Sequence, residues 1–385
     1  MVSPAYAERV ETTPNDESLV PSPPMQVVEK SKSASDVDST QLKSLPIIGG
    51  LANLAKKIQL SEQDKLKLKL SFSALMFASL FIFGKVDLSK SWEVALQSNG
   101  WYLSTAVLLF LGSVLINAKR WQLLADAVGL HKPFMALLQY CYVGLFFNLF
   151  LPSTVGGDFS RGYYLSKGTG KYKSAFYSVL ADRTVGIAVL FLFATAGILA
   201  GPAGHLPWKL KLPILLGTAG IFLVLPFAPK LCHMLLGPEN KITKRFENSA
   251  AKVYWHDRKL VLSALFLSVV LQLVIVLCHL TIGLALGLTQ IPIWYYFIFY
   301  PCVAVLGFVT PSFNGIGIRE WAYTYFLTFI GVDNSHALTY AMMWLALTTL
   351  SSLVGGVVYF AGHLQISKEE REEFEHVQQE EAETA

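Results

Sequence analysis

The stretch NLFLPSTVGGDFSRGYYL, residues 148–165, interrupts a strongly apolar part of the chain with a proline, two glycines and two charged residues. Asp158 and Arg161 stand three residues apart, so on a helix they share one face. If that helix begins at the glycines, Asp158 lies in its first turn, where a carboxylate suits the helix dipole. The stretch therefore predicts a tight turn followed by a charged helix. The turn residues are Pro152, Gly156 and Gly157.

The composition predicts where this turn lies. Of the 385 residues, 53% are hydrophobic and 15% are charged, and the mean hydropathy is +0.46. Soluble domains carry nearer ~25% charged residues. From Leu260 to Ile318 the sequence contains no Asp, Glu, Lys or Arg. We therefore predict an all-α integral membrane protein, a polytopic helical bundle. The net charge of +4 is modest, and we expect no nucleic-acid partner.

The two ends differ from the apolar middle. Residues 1 to about 44 are rich in Ser, Pro, Thr and Glu without hydrophobic periodicity, which is typical of disorder. Residues 51–70 fit either an amphipathic helix on an anionic membrane surface or a basic lead-in to the first span. We divide the chain into a tail 1–64, a transmembrane domain 65–364 and an acidic cytoplasmic tail 365–385.

The four cysteines are widely spaced, which favours small buried hydrophobes over disulfides or metal ligands. We expect neither a metal nor another cofactor.

Apolar segments long enough to cross a bilayer, about 20 residues each, occur six times. They are 66–84, 101–118, 174–200, 212–229, 260–286 and 336–362. Basic residues concentrate before the first span, after the second and in the loop 230–259, which predicts a cytoplasmic side. The connections 201–208 and 287–293 carry no Lys or Arg and are predicted to face outward. Both termini would then be cytoplasmic, in a multi-pass protein of the plasma membrane.

Two shorter apolar segments, 134–151 and 294–310, end at prolines. The predicted orientation requires the chain to return to the face where each segment begins, so each predicts a re-entrant hairpin. The turns FLPSTVGGDFSR and VTPSFNGIGIRE share Pro-Ser, a glycine and a later arginine. We interpret them as an inverted repeat, as in secondary transporters, although chance similarity would also explain two short loops. The second turn contains Pro311, Gly315 and Gly317.

Charged residues inside these segments are the candidate site. An Arg or Asp at the centre of a helix in lipid costs about 2.5–3.5 kcal/mol, so such residues pair or face a cavity. The candidates are Asp158, Arg161, Asp182, Arg183, Arg319 and Glu320. They are either ion pairs that lock the hairpins to neighbouring spans or a site for an anionic head group, whose phosphate suits a guanidinium fork.

In the binding interpretation, Asp158 orients Arg161, and Glu320 orients Arg319. Arg120, with Trp121 beside it, ends the second predicted span and is either an interface anchor or part of the site.

Four motifs occur in the order NAKRWQLLADAVG, NLFLPSTVGGDFSRGYYL, SVLADRTVG and TPSFNGIGIREWAY. They resemble the flippase-like membrane domain of lysylphosphatidylglycerol synthases over about residues 66–364. The resemblance implies a domain that moves a lipid between leaflets, as in two-domain members that also synthesise aminoacylated phosphatidylglycerol. No polar segment here is long enough for the synthase, so we expect the transport part alone, without enzymatic activity. Asn314 replaces a glycine that many relatives carry in the second turn.

The leading hypothesis is a flippase or transporter for an anionic phospholipid or a polyprenyl-phosphate conjugate. GGDFSRG lacks the Lys-Ser/Thr ending of a P-loop, so we expect transport without nucleotide hydrolysis. An integral-membrane lipid transferase and a non-transporting partner in an envelope lipid-assembly complex are the alternatives. His279 stands alone in an apolar segment, where a structural role is the simpler interpretation.

Overall fold

The computed structural model describes residues 88–150, 156–202, 206–224, 252–310 and 315–361, with isolated positions at 71 and within 227–237. The predicted tails, the span 66–84, Pro152 and Pro311 lie outside the described residues. The contacts divide the chain after Leu60, and every described residue belongs to the second unit.

The described residues form helices and turns without strands. In chain order the helices are α1 Leu88–Leu96, α2 Gly100–Ala127, α3 Phe134–Phe150, α4 Gly156–Ser166, α5 Tyr172–Ala200, α6 Trp208–Ala219, α7 Val253–His256, α8 Arg258–Ala285, α9 Ile293–Val309, α10 Ile318–Phe329 and α11 Asn334–Ala361. The all-α prediction is therefore confirmed.

Four of these helices, α2, α5, α8 and α11, are long and apolar enough to cross a membrane. By length and composition they agree with the predicted spans 101–118, 174–200, 260–286 and 336–362, although α2 continues to Ala127. The structure differs from the fourth predicted span, 212–229, in where the helix begins and in how regular it is. Helix α6 begins earlier, at Trp208, contains Pro213 and continues as a short π-helix over Gly220–Val224.

Two of the long helices begin at side-chain caps. Asn99 Oδ1 accepts a hydrogen bond from the Trp101 N–H at 3.0 Å and starts α2. Asp257 Oδ1 accepts from the Leu260 N–H at 3.0 Å and starts α8. Each cap satisfies one of the N–H groups that a helix leaves unpaired at its N-terminus. The helix starts therefore follow from local chemistry as well as from hydrophobicity.

Helices α2 and α8 pack against each other in antiparallel orientation. The Cys278 thiol donates to the Ala106 carbonyl at 3.2 Å near one end. Near the other end, Leu124 shares a buried cluster with Leu260 and Ala264. Rising residue numbers on α2 thus meet falling numbers on α8. This pairing brings Arg120 of α2 into contact with Ser268 of α8.

Helices α3 and α4 form an antiparallel helical hairpin. The Gly157 N–H donates to Asn148 Oδ1 at 2.8 Å, and the rings of Tyr140 and Tyr164 stack with centroids 5.5 Å apart. A Cβ on Gly157 would overlap the carbonyl oxygen of Gly144, so only glycine allows this close approach. The helix begins at Gly156, as the glycine pair predicts.

Helices α9 and α10 form a second antiparallel hairpin. The Tyr295 hydroxyl donates to the Phe326 carbonyl at 2.6 Å, and the rings of Phe299 and Tyr323 lie 6.1 Å apart. The order of these contacts shows that the two helices run in opposite directions. That both hairpins re-enter a membrane, and that they form an inverted repeat, remain predictions.

Candidate functional site

Asp182 lies in the interior of the bundle between two arginines. The Arg120 Nε of α2 donates to Asp182 Oδ1 at 2.8 Å, and the Arg161 Nη2 of α4 donates to Oδ2 at 3.1 Å. Asp182 is 1% exposed, and Arg120 and Arg161 are 4% and 5% exposed. Charges removed this far from water cost several kcal/mol each unless they are paired. One carboxylate therefore ties α2 and α4 to α5.

Asp158 makes its main contact with Arg183 of α5. The Arg183 Nε and Nη2 donate to the two carboxylate oxygens, each at 2.7 Å. Arg161 Nη1, the predicted partner, lies 3.6 Å from Asp158 Oδ1. The predicted Asp158–Arg161 pair is thus secondary, because a planar guanidinium reaching across from α5 can bind the carboxylate in bidentate geometry.

Arg161 packs against an aromatic ring in addition to its carboxylate partners. Its guanidinium carbon lies 4.2 Å from the ring centroid of Trp121, within the range of cation–π attraction. The Trp121 indole N–H donates to Ser178 Oγ at 3.2 Å, which fixes the ring. Arg161 Nε is buried and has no hydrogen-bond partner among the described residues. An unsatisfied buried donor costs about 1–3 kcal/mol, so the cluster is short of one acceptor here.

Arg120, for which the sequence left open an interface anchor or a part of the site, belongs to this cluster. Its Nη1 donates to Ser268 Oγ of α8 at 2.7 Å and its Nη2 to Asn117 Oδ1 at 2.9 Å. An interface anchor would be exposed to head groups, so that interpretation of Arg120 and Trp121 is wrong for this structure. The polar residues at 117 and 120, one helical turn apart within an apolar segment, were the available signal.

In the second hairpin, Glu320 caps its own helix. Glu320 Oε2 accepts a hydrogen bond from the Gly317 N–H at 2.6 Å, and the residue is 2% exposed. Gly317 has a φ of 87°, a value that favours glycine. The carboxylate therefore serves the helix start, and the predicted Glu320–Arg319 pair is not present in the structure.

Arg319 has a different environment from the other site arginines. Its Nε lies 2.6 Å from the position that a Cβ would take on Gly307 and equally close to that on Gly315, so the side chain passes through a gap between two glycines. Among the residues that the structure describes, Arg319 makes no ion pair and no hydrogen bond. The hairpin therefore presents a half-buried guanidinium whose charge is not matched by a direct partner.

The end of α9 lies beside the cluster. The rings of Phe193 and Phe297 lie 5.2 Å apart, and the Arg183 guanidinium carbon lies 5.9 Å from the Phe308 ring centroid, so α5 and α9 run antiparallel. Arg183 contacts Phe308, and Arg319 contacts the preceding residue, Gly307. Residues from both hairpins thus come to one level of α5, about 15 Å from its start by helical rise.

The cluster has a surplus of positive charge. Its ion pairs join three arginines and two aspartates, which leaves a formal charge of +1 before Arg319 is counted. The side chain of Arg183 is 36% exposed, whereas those of Arg120 and Arg161 are 5% and 6% exposed. Arg183 is therefore the member of the cluster that an outside anion reaches first.

His279 is a buried residue outside this cluster, and each of its two ring nitrogens makes a hydrogen bond to a tyrosine hydroxyl. Tyr340 donates its hydroxyl to the His279 carbonyl at 2.9 Å, so its oxygen accepts from Nδ1–H at 3.0 Å. Nε2 then accepts from the Tyr323 hydroxyl at 3.3 Å. This arrangement satisfies a neutral imidazole and joins α8, α10 and α11. Among the described residues, no group of three His, Cys, Asp or Glu is placed to hold a metal ion.

The chain is similar to one protein family and to two individual proteins. Residues 66–356 match the family described as Lysylphosphatidylglycerol synthase TM region. Two archaeal proteins described as UPF0104 membrane proteins are also similar. The one from Pyrococcus horikoshii is 27% identical over 127 residues, 32% of this chain and 37% of the relative. The one from Methanocaldococcus jannaschii is 32% identical over 138 residues, 34% of this chain and 40% of the relative.

The aligned parts thus span about two fifths of these relatives, and no solved structure gives a significant match. The family match extends over most of the chain and contains the whole described cluster. The chain therefore belongs to the family of the lysylphosphatidylglycerol synthase transmembrane region.

Proposed function

We propose that the chain moves a lipid with an anionic phosphate head group between the leaflets of a cell membrane. The observation that carries this proposal is the position of two arginines from different elements. Arg183 and Arg319 lie against adjacent residues of α9, Phe308 and Gly307. One is the most exposed member of a positively charged cluster, and the other has no direct partner among the described residues.

A phosphate ester fits this arrangement better than the other ligand classes. Guanidinium groups bind phosphate oxygens in planar, bidentate geometry, and two such groups around one phosphate replace the water that it loses. A cationic head group would meet repulsion from the surplus charge of the cluster. An apolar ligand would leave Arg319 without a partner in a membrane segment, at a cost of about 2.5–3.5 kcal/mol.

The buried residues of the cluster hold the arginines in place. Asp182 holds Arg120 and Arg161, and Asp158 holds Arg183 in a fixed orientation. Two interpretations of the charged residues were open, an ion-pair scaffold and a head-group site. We assign Arg161 and Asp182 to the scaffold, and Arg183 and Arg319 to head-group binding. The head group would pass along α5 while the acyl chains stay in the bilayer, as re-entrant hairpins that meet inside a membrane allow.

A leaflet-exchange assay tests the proposal. The purified chain is reconstituted into vesicles that contain fluorescent phosphatidylglycerol or fluorescent phosphatidylcholine, and an impermeant quencher reports the fraction of lipid in each leaflet. We expect the protein to accelerate exchange of the anionic lipid above the rate in protein-free vesicles, and to accelerate the zwitterionic lipid less. Exchange at the protein-free rate for phosphatidylglycerol, phosphatidic acid and a polyprenyl phosphate would contradict the proposal.

A further inference from the structure

A groove runs along the outside of the bundle where α2 and α8 meet. Its volume is about 480 Å³, and it is lined by Lys119, Leu123, Leu262, Ser263, Phe266 and Leu267. Leu262 is 65% exposed and Phe266 is 67% exposed, so the groove opens away from the protein. Both helices are long enough to span a membrane, and the lining is apolar apart from one lysine and one serine.

The groove is separate from the arginine and aspartate cluster. Lys119 precedes Arg120 in the chain, but the Arg120 side chain turns inward to Asp182 and Ser268. Consecutive residues on a helix point about 100° apart, which places Lys119 on the outer face. The bond between Arg120 and Ser268 joins α2 to α8 behind the groove. A molecule in the groove would therefore touch the seam between two spans and not the proposed transport site.

The groove lies at the end of the two helices where exposed cations collect. Lys119 stands eight residues before the end of α2, and its ammonium donates to Gln122 Oε1 at 2.9 Å, toward that end. Arg258 and Lys259, at the start of α8, are exposed at the same end. Asp257 also lies there, but its carboxylate caps α8. A lysine with an apolar stem and a charged tip suits the boundary between acyl chains and phosphates.

We propose that this groove binds one anionic phospholipid of the surrounding bilayer. An acyl chain lies over Leu262, Phe266 and Leu267, and the phosphate contacts the Lys119 ammonium and the Ser263 hydroxyl. A zwitterionic lipid fits less well because its cationic group would lie among Lys119, Arg258 and Lys259. The bound lipid bridges α2 and α8 and so stabilises the pair of helices that positions Arg120. This inference does not depend on the proposed transport activity.

Lipid binding to the full chain in a neutral detergent tests the inference. Native mass spectrometry measures how much phosphatidylglycerol or phosphatidylcholine stays bound, and thermal unfolding of the same samples measures stabilisation. Three variants are compared with the wild type. Lys119→Gln removes the cation, Ser263→Trp fills the groove, and Lys209→Gln removes an exposed lysine from α6 as a control.

We expect the wild type to retain phosphatidylglycerol in preference to phosphatidylcholine and to be stabilised by it. Lys119→Gln should weaken phosphatidylglycerol binding about fivefold, the effect of one lysine near an anionic lipid. Ser263→Trp should weaken both lipids, and Lys209→Gln should leave both unchanged. Wild-type retention in Lys119→Gln or in Ser263→Trp would overturn the proposal. Equal losses in Lys119→Gln and Lys209→Gln would overturn it as well, because they indicate general charge attraction.

Discussion

At the scale of single residues, we expect Asp182 to matter most for the stability of the bundle, because two buried guanidinium groups bind its carboxylate. Asp182→Asn would leave Arg120 without its carboxylate partner and Arg161 with only the longer contact to Asp158, at 3.6 Å. Breaking a buried ion pair in this way typically costs about 3–5 kcal/mol. We therefore expect Asp182→Asn to lower both thermal stability and transport.

Asp333→Asn is the matched control for this change. The Asp333 carboxylate pairs with Lys90 at 3.2 Å, and both side chains are about half exposed. An exposed pair contributes only about 0–1 kcal/mol. Unfolding of both variants should be followed by differential scanning fluorimetry at equal protein concentration. Equal melting temperatures for Asp182→Asn and Asp333→Asn would show that Asp182 does not stabilise the bundle.

At the scale of elements, the first hairpin depends on the contact between α3 and α4 at Gly157. A methyl group at this position would overlap Gly144 and Asn148, so the helices would have to separate. We expect Gly157→Ala to destabilise the protein by about 1–3 kcal/mol, the usual cost of overpacking. It should also reduce transport because α4 carries Asp158 and Arg161.

Gly162→Ala controls for the effect of helix propensity in the same element. A Cβ at Gly162 would meet nothing within 4 Å, so the change adds only the preference of alanine for a helix. We expect it to be neutral or to stabilise α4 by up to about 1 kcal/mol. Chemical or thermal unfolding of the two variants measures the difference. A Gly157→Ala protein as stable as Gly162→Ala would refute the close packing of this hairpin.

The elements also show how far the sequence predicts the structure. Long apolar runs predicted the four spans, and the glycine pair predicted the start of α4, because both depend on local chemistry. The contact of Glu320 with the Gly317 N–H is only half of a capping box, because glycine has no side chain to accept the second hydrogen bond, so the Ser/Thr-x-x-Glu pattern did not indicate this role. The pairing of Asp158 with Arg183 could not be predicted from the sequence either, because the two residues lie on different helices and local spacing favours Arg161.

At the scale of the whole molecule, the orientation in the membrane remains a prediction from basic residues. It places the start of α8 in the cytoplasm and the connection after α8 outside. His256 and Thr289 are exposed residues that bracket this helix, so each can be replaced by cysteine with little effect on packing. We expect an impermeant thiol reagent applied to intact cells to label Thr289→Cys and not His256→Cys.

The unsubstituted protein gives the background from the native cysteines, and permeabilised cells show whether His256→Cys can react at all. Labelling of His256→Cys alone in intact cells would reverse the predicted orientation. Labelling of both positions would show that α8 does not separate two compartments.

The most direct test of head-group binding is leaflet exchange and thermal stability measured on the same Arg319→Gln protein, with Lys209→Gln as the control. Because Arg319 makes no ion pair or hydrogen bond among the described residues, its removal should leave the melting temperature close to that of the wild type. It should reduce exchange of fluorescent phosphatidylglycerol by about 10-fold or more, the loss expected for a charge-assisted phosphate contact. Lys209→Gln, at an exposed position on α6, should retain both properties. Wild-type exchange by a stable Arg319→Gln protein would contradict head-group binding at Arg319.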